Sequence, residues 1–242
     1  MNKKLISEFI VLFYFKHNYQ RMVKIVFCDT KEGFSEEVSR IFQQSSYVDY
    51  SIDTYTGDIR DMIGDNTAYI SPANSLLYFN GGVDYIYSKM FPSLQTDAQE
   101  LVKKYNYKLS DNEAQSSNEV NYYLPVGSAM IVPVEHINEK IEINYLIASP
   151  TMFMPSDIRN TSNVYYAFYA VIAVIDKYNR SVDDEIKIRT VICPGLGTGC
   201  GGISFYTCVL QIKEALDDYV NGKKNNDLHK EDNIAYIYEC EQ

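Results

Sequence analysis

The chain is predicted to fold as an α/β sandwich around a mostly parallel or mixed sheet. Short apolar runs of strand length alternate with stretches whose apolar residues recur at helical spacing. No internal repeat or domain linker interrupts that alternation. Two glycine-bearing loops each follow directly on a strand, at the edge where open α/β sheets bind their ligands. With 242 residues, 46% of them hydrophobic and 22% charged, the chain has the length and composition of one substantial globular domain.

Residues 1–21 stand apart. Positions 5–15 are apolar except for Ser7 and Glu8, yet that run is about half the roughly 20 residues a membrane-spanning helix needs. Lys3 and Lys4 precede it, and no small-residue cleavage pattern follows. Residues 1–21 are therefore read as an extension, and the domain as residues 22–242, beginning at Met22 before the first strand.

Residues 23–28 form that strand, and residues 33–44 a helix with Phe34, Val38, Ile41 and Phe42 on one face. Residues 48–55 alternate as a second strand, which Thr56-Gly57-Asp58-Ile59 turns. Ala68-Tyr69-Ile70 is a third, buried strand running into Ser71-Pro72-Ala73-Asn74, where proline forbids continuation as a central strand. Helices follow at 83–90 and 94–105, then a polar, solvated insertion at 108–121. Strands at 128–134 and 143–149 lead to a proline-bounded loop, 150–155. A long helix then runs to Tyr178, with N-cap candidates among residues 160–163. A strand at 186–193 feeds a glycine loop, a helix at 204–219 leaves it, and residues 234–239 alternate as a last strand.

A formal net charge of −10 and a pI near 4.8 argue against a basic surface that binds nucleic-acid phosphates. The five cysteines, Cys28, Cys193, Cys200, Cys208 and Cys240, are odd in number and lack Cys-x-x-Cys spacing. They read as reduced intracellular thiols and imply neither a disulfide framework nor zinc. His17, His136 and His229 have no metal-ligand spacing and lie outside the glycine stretches, so no metal or other cofactor is expected.

Five glycines crowd residues 195–202, between a strand and a helix start. Glycine lets a ligand approach the backbone closely, and a strand, glycine loop and helix N-terminus together aim N–H groups at an anion. The plainer alternative is a turn that only joins strand to helix. A second glycine-bearing stretch, 71–84, strengthens the reading as a phosphate cradle.

Four short motifs in register carry a resemblance: Thr56-Gly57-Asp58-Ile59, then Asn74, then Gly81-Gly82-Val83-Asp84, then Gly197-Thr198-Gly199-x-x-Gly202. Over about residues 23–239 the chain resembles the macro-domain family of ADP-ribose-binding modules. Its spellings Ser71-Pro72-Ala73-Asn74-Ser75 and Cys193-Pro194-Gly195-Leu196-Gly197-Thr198-Gly199 are most similar to a branch that includes fungal ADP-ribose 1″-phosphate phosphatases. The resemblance implies a three-layer αβα sandwich with a central mixed sheet, and ADP-ribose or a phosphorylated derivative as ligand.

It also implies roles. Asp58, with Ile59, would accept from the adenine amino group; the alternative, read from the residues alone, is that Asp58 caps the helix beginning near Ile59. Asn74 would meet the distal ribose, or else cap its own loop. Gly81, Gly82 and Val83 would wrap the diphosphate from one side. Gly195, Gly197, Thr198, Gly199, Cys200, Gly201 and Gly202 would close over it from the other. Asp84 would orient or deprotonate a water beside the distal ribose with Asn74, or is simply an acid that a helix dipole favours.

Three departures limit the resemblance. Ser88 stands where protein de-ADP-ribosylating relatives often carry histidine. The loop aromatic falls at Gly201, with Phe205, Tyr206 or Phe153 as substitutes. Ser71-Pro72 replaces paired alanine. Tyr236 and Tyr238 are candidates to stack on adenine.

The implied activity is a phosphoric monoester hydrolase acting on ADP-ribose 1″-phosphate, a by-product of tRNA splicing. The alternative is a non-catalytic reader of free or protein-linked ADP-ribose, with an ADP-ribosylated protein as partner. Neither implies direct nucleic-acid or membrane binding, and both suit a cytoplasmic or nuclear protein. A P-loop or dinucleotide-binding fold fits less well, because neither glycine loop ends in Lys-Ser or Lys-Thr and no G-x-G-x-x-G follows the first strand.

Overall fold

The computed structural model describes residues 22–104, 122–135 and 144–222, and the backbone of Tyr236–Ile237. The N-terminal extension, the 108–121 insertion, Tyr238, Cys240 and all three histidines lie outside the described residues.

The strands are β1 (Val23–Asp29), β2 (Tyr50–Thr56), β3 (Thr67–Ser71), β4 (Ala129–Val134), β5 (Asn144–Ala148), β6 (Thr190–Cys193) and β7 (Tyr236–Ile237). They form one sheet in the order β2-β1-β6-β3-β5-β4-β7. Every described neighbour pair is parallel except β4 with β5, so the sheet is mixed. The helices are α1 (Glu32–Phe42), α2 (Gly82–Met90), α3 (Leu94–Lys104), α4 (Asn163–Ser181) and α5 (Phe205–Val220).

Alternation along the central strands sorts these helices into two layers. Ile25, Phe27, Ile70, Val191 and Cys193 pack with α1, α4 and α5. Val26, Cys28, Tyr69 and Ile192, from the same strands, pack with α2 and α3. Successive strand residues point to opposite faces, so a strand buried on both must be apolar throughout. Accordingly all five residues of β3 are buried. The architecture is an α/β three-layer sandwich with a central mixed sheet.

One expected element is shorter. The apolar run from residue 186 enters the ladder only at Thr190, because α4 intercepts it. Asn179 Nδ2 donates to Ile188 O at 2.9 Å, and Ile188 N donates to Asn179 Oδ1 at 2.9 Å. With both backbone groups taken, Ile188 cannot pair with a strand. Asp184–Ile186 is a short 3-10 turn instead. The second strand likewise starts at Tyr50, and Val48 is 78% exposed.

The topology places the site. β1, β3, β5 and β6 are mutually parallel, so their carboxyl ends share one edge of the sheet. From that edge emerge Asp29, the loop 72–81, the loop 149–155 and the loop 194–204.

Candidate functional site

These segments enclose a cleft of about 380 Å³. The two glycine stretches, more than 100 positions apart in the chain, face each other across it. Gly81, Gly82, Val83 and Asp84 line one wall, and Gly195, Gly197, Thr198, Gly199, Cys200 and Gly201 the other.

Close approach explains the glycines of the second wall. A Cβ on Gly201 would lie 2.5 Å from Gly197 O and 2.9 Å from Ile158 Cγ1, and Gly197 has φ +69°. The loop is laced by Ile203 N donating to Gly197 O, Gly202 N to Gly199 O and Thr198 Oγ1 to Gly195 O. Ile158 N donates to Gly201 O at 3.0 Å and anchors it to the segment before α4. The N–H groups of Gly199, Cys200 and Gly201 find no acceptor among the described residues. Gly201→Ala is expected to destabilise the fold by roughly 1–3 kcal/mol, since the methyl would press on backbone. Urea unfolding checks this, and an unchanged midpoint would contradict the packing described.

The first wall is held by a strained turn. Leu77 has φ +58°, uncommon for a leucine, and is buried. Asn74 brackets it: Nδ2 donates to Tyr78 O at 2.9 Å, and Oδ1 accepts from Leu76 N at 3.1 Å. The amide therefore spends much of its capacity on its own loop, with one N–H left for a ligand. Backbone bonds tie this loop to the next, Ser75 N donating to Met152 O at 3.0 Å.

Asp84 sits in the first turn of α2 and lines the cleft. The residue as a whole is half-buried there, and desolvation of its carboxyl group is the main influence on its titration. Ser71 Oγ donates to Oδ1 at 2.6 Å. Burial raises the Asp84 pKa to about 7, and the Ser71 hydrogen bond opposes the rise. The carboxyl therefore titrates near neutrality, the range in which a group serves as a general base.

Not every expected residue reaches the cleft. Asp58 accepts from Arg60 N at 2.9 Å as the N-cap of the Ile59–Asp61 turn, and Arg60 Nη2 pairs with Oδ2 at 2.5 Å. Arg60 is the cause of its lowered pKa, about 2. Ile59 is a core residue. Gly202, with φ +70°, lies against the Arg159 side chain. Phe205 packs on Phe34 with ring centroids 5.4 Å apart. Tyr206 lies under Arg40, and Phe153 against Tyr123. Tyr236 is an end-of-sheet residue paired with Ala129.

The cleft also gathers residues that the motifs do not include: Asp29, Tyr78, Asn80, Thr151, Met152 and Pro155. The 149–155 loop carries a signal in sequence, since a buried strand ends there and proline follows, but only the parallel pairing of β5 with β3 brings it to this edge. No Lys, Arg or His lines the cleft among the described residues.

No family model matches this chain, and no curated protein matches it either. What the site can do follows from its own chemistry. Among the described residues no three His, Cys, Asp or Glu side chains are grouped to hold a metal, and no helix is long and apolar enough to cross a membrane. Cys28, Cys193 and Cys208 are buried free thiols, while the free thiol of Cys200 is exposed.

Proposed function

We propose that this cleft binds ADP-ribose or a phosphorylated derivative in the manner of a macro domain, and that the protein hydrolyses ADP-ribose 1″-phosphate to ADP-ribose and phosphate. The observation that carries the reading is the pairing of two glycine walls, one with the N–H groups of Gly199, Cys200 and Gly201 left without an acceptor and neither with a cation among the described residues, with one carboxyl group whose pKa burial raises to about 7. Main-chain N–H groups and the N-terminus of α2 can hold phosphates where no side-chain charge is available. An acidic protein is compatible with such a ligand because attraction is confined to the cleft.

In this scheme Asp84 takes a proton from water as the water oxygen bonds to phosphorus. The bond from phosphorus to the ribose oxygen breaks, and that oxygen leaves with the proton that Asp84 returns. Asn74 uses its remaining N–H on a ribose hydroxyl. The buried free thiols agree with a reducing compartment, cytoplasm or nucleus.

A second reading is favoured by a specific observation: the Asn74 amide is largely engaged by its own turn, and the described cleft residues include no histidine. The protein is then a reader of free or protein-linked ADP-ribose. Calorimetric titration with ADP-ribose, followed by phosphate release from ADP-ribose 1″-phosphate, separates the two. Micromolar binding with release supports the phosphatase, and binding without release the reader. Absence of binding overturns both.

A further inference from the structure

The role of Asp84 depends on which carboxylate oxygen meets the ligand and at what pH it is ionised. A residue that stands behind the cleft donates a hydrogen bond to that carboxyl group. Ser71 is the last residue of β3, fully buried, with β5 on one side and β6 on the other. Its Oγ accepts from Ala73 N at 3.3 Å, which leaves its single proton for Asp84 Oδ1 at 2.6 Å. No other donor among the described residues reaches the Asp84 carboxyl. Tyr87, one turn further along α2, spends its O–H on Ile70 O at 3.1 Å.

We propose that Ser71 is the positioning residue for Asp84: its hydroxyl pins Oδ1 to the rigid end of β3 and commits Oδ2 to the cleft. The inference rests on the hydrolytic reading above for its catalytic consequence, but not for its geometry. A hydrogen bond to the ionised carboxyl favours that form, so Ser71 also opposes the burial that would otherwise keep Asp84 protonated. The titratable groups around the α2 side of the site do not substitute for it. Tyr87 on α2, Cys28 on β1 and Cys193 on β6 are all held neutral by burial, and Asp29, which also lines the cleft, accepts through Oδ1 from Lys31 N at 2.9 Å.

The test is an NMR titration of the Asp84 carboxyl in the full chain, wild type against Ser71→Ala and Ser71→Thr, with the pH profile of phosphate release in the same proteins. In Ser71→Ala the Asp84 midpoint is expected to rise by about one pH unit. The rising limb of kcat should move with it at little change in KM. Threonine, which keeps the hydroxyl, restores both. Should the alanine variant not fold, Ser71→Cys, close in shape but a weak donor, must move the midpoint in the same direction. An unchanged Asp84 midpoint in folded Ser71→Ala or Ser71→Cys overturns the proposal. A shifted midpoint in a protein that neither binds ADP-ribose nor releases phosphate upholds the Ser71–Asp84 coupling and rejects the hydrolytic reading.

Discussion

Asp84→Asn is expected to lower phosphate release from ADP-ribose 1″-phosphate by about 10²–10⁴-fold, the usual worth of a general base, while ADP-ribose affinity stays within about tenfold. The amide has nearly the shape of the acid and can still accept from Ser71, so the cleft is preserved. It cannot take a proton from water. In the wild type, kcat should rise with pH through about 7, where Asp84 ionises, and level off above it.

The same substitution is expected to stabilise the fold. The folded-state pKa of Asp84 is raised from an ordinary 3.8 to about 7, so the folded protein binds a proton that the unfolded chain gives up. Stability carried by that proton is fully present below about pH 4 and is lost as pH rises to about 7. Asparagine has no charge to desolvate. Its gain over wild type should be near zero at pH 4, grow to pH 7 and stay constant above, at roughly 2–4 °C in melting temperature per kcal/mol for a domain of this size. Thermal melts of both proteins across that range are the check. Equal turnover by the variant removes Asp84 from the mechanism, and equal melting temperatures at pH 8 would mean that burial does not raise its pKa.

Gly199→Glu is expected to weaken ADP-ribose binding on the order of 100-fold or more while leaving the protein folded. A Cβ at Gly199 meets nothing within 4 Å, unlike one at Gly201, so the added side chain has room. That room is the cleft, and the new carboxylate would stand among N–H groups otherwise free for phosphate, adding repulsion against a diphosphate. Titration calorimetry measures the loss, and circular dichroism confirms the fold. A folded variant that binds as wild type does would make the glycine wall a structural turn.

The helices are legible in the sequence because apolar spacing and length specify them locally: α1, α2, α3 and α5 each lie where periodicity puts them, within a few residues. The strand ahead of the glycine loop is less so. Its apolar run reads as a strand from residue 186, and only the amide of Asn179, delivered by a helix nine residues upstream, withdraws Ile188 from the sheet. A side chain competing for backbone groups across elements leaves no periodic trace.

The site divides in the same way. Glycine crowding at 195–202 and the Asn74 to Asp84 spacing mark both walls in the amino-acid sequence, because chain geometry at a strand end restricts residue choice locally. Asp58 shows the limit: its motif is intact in sequence, while in the fold its carboxylate pairs with Arg60 and is not among the residues that line the cleft. Ser71 shows the converse: in sequence it marks only a departure from paired alanine, and the fold alone brings its hydroxyl to Asp84.

Local residue choice is enough to set the alternation of elements, the acidic balance and the two glycine stretches. The tertiary structure alone decided that these stretches face one another, because strand order depends on which apolar faces pack together across the sheet and not on chain order. It alone raised the pKa of Asp84 to about 7, because desolvation is a property of the enclosure that distant residues build around a carboxyl group.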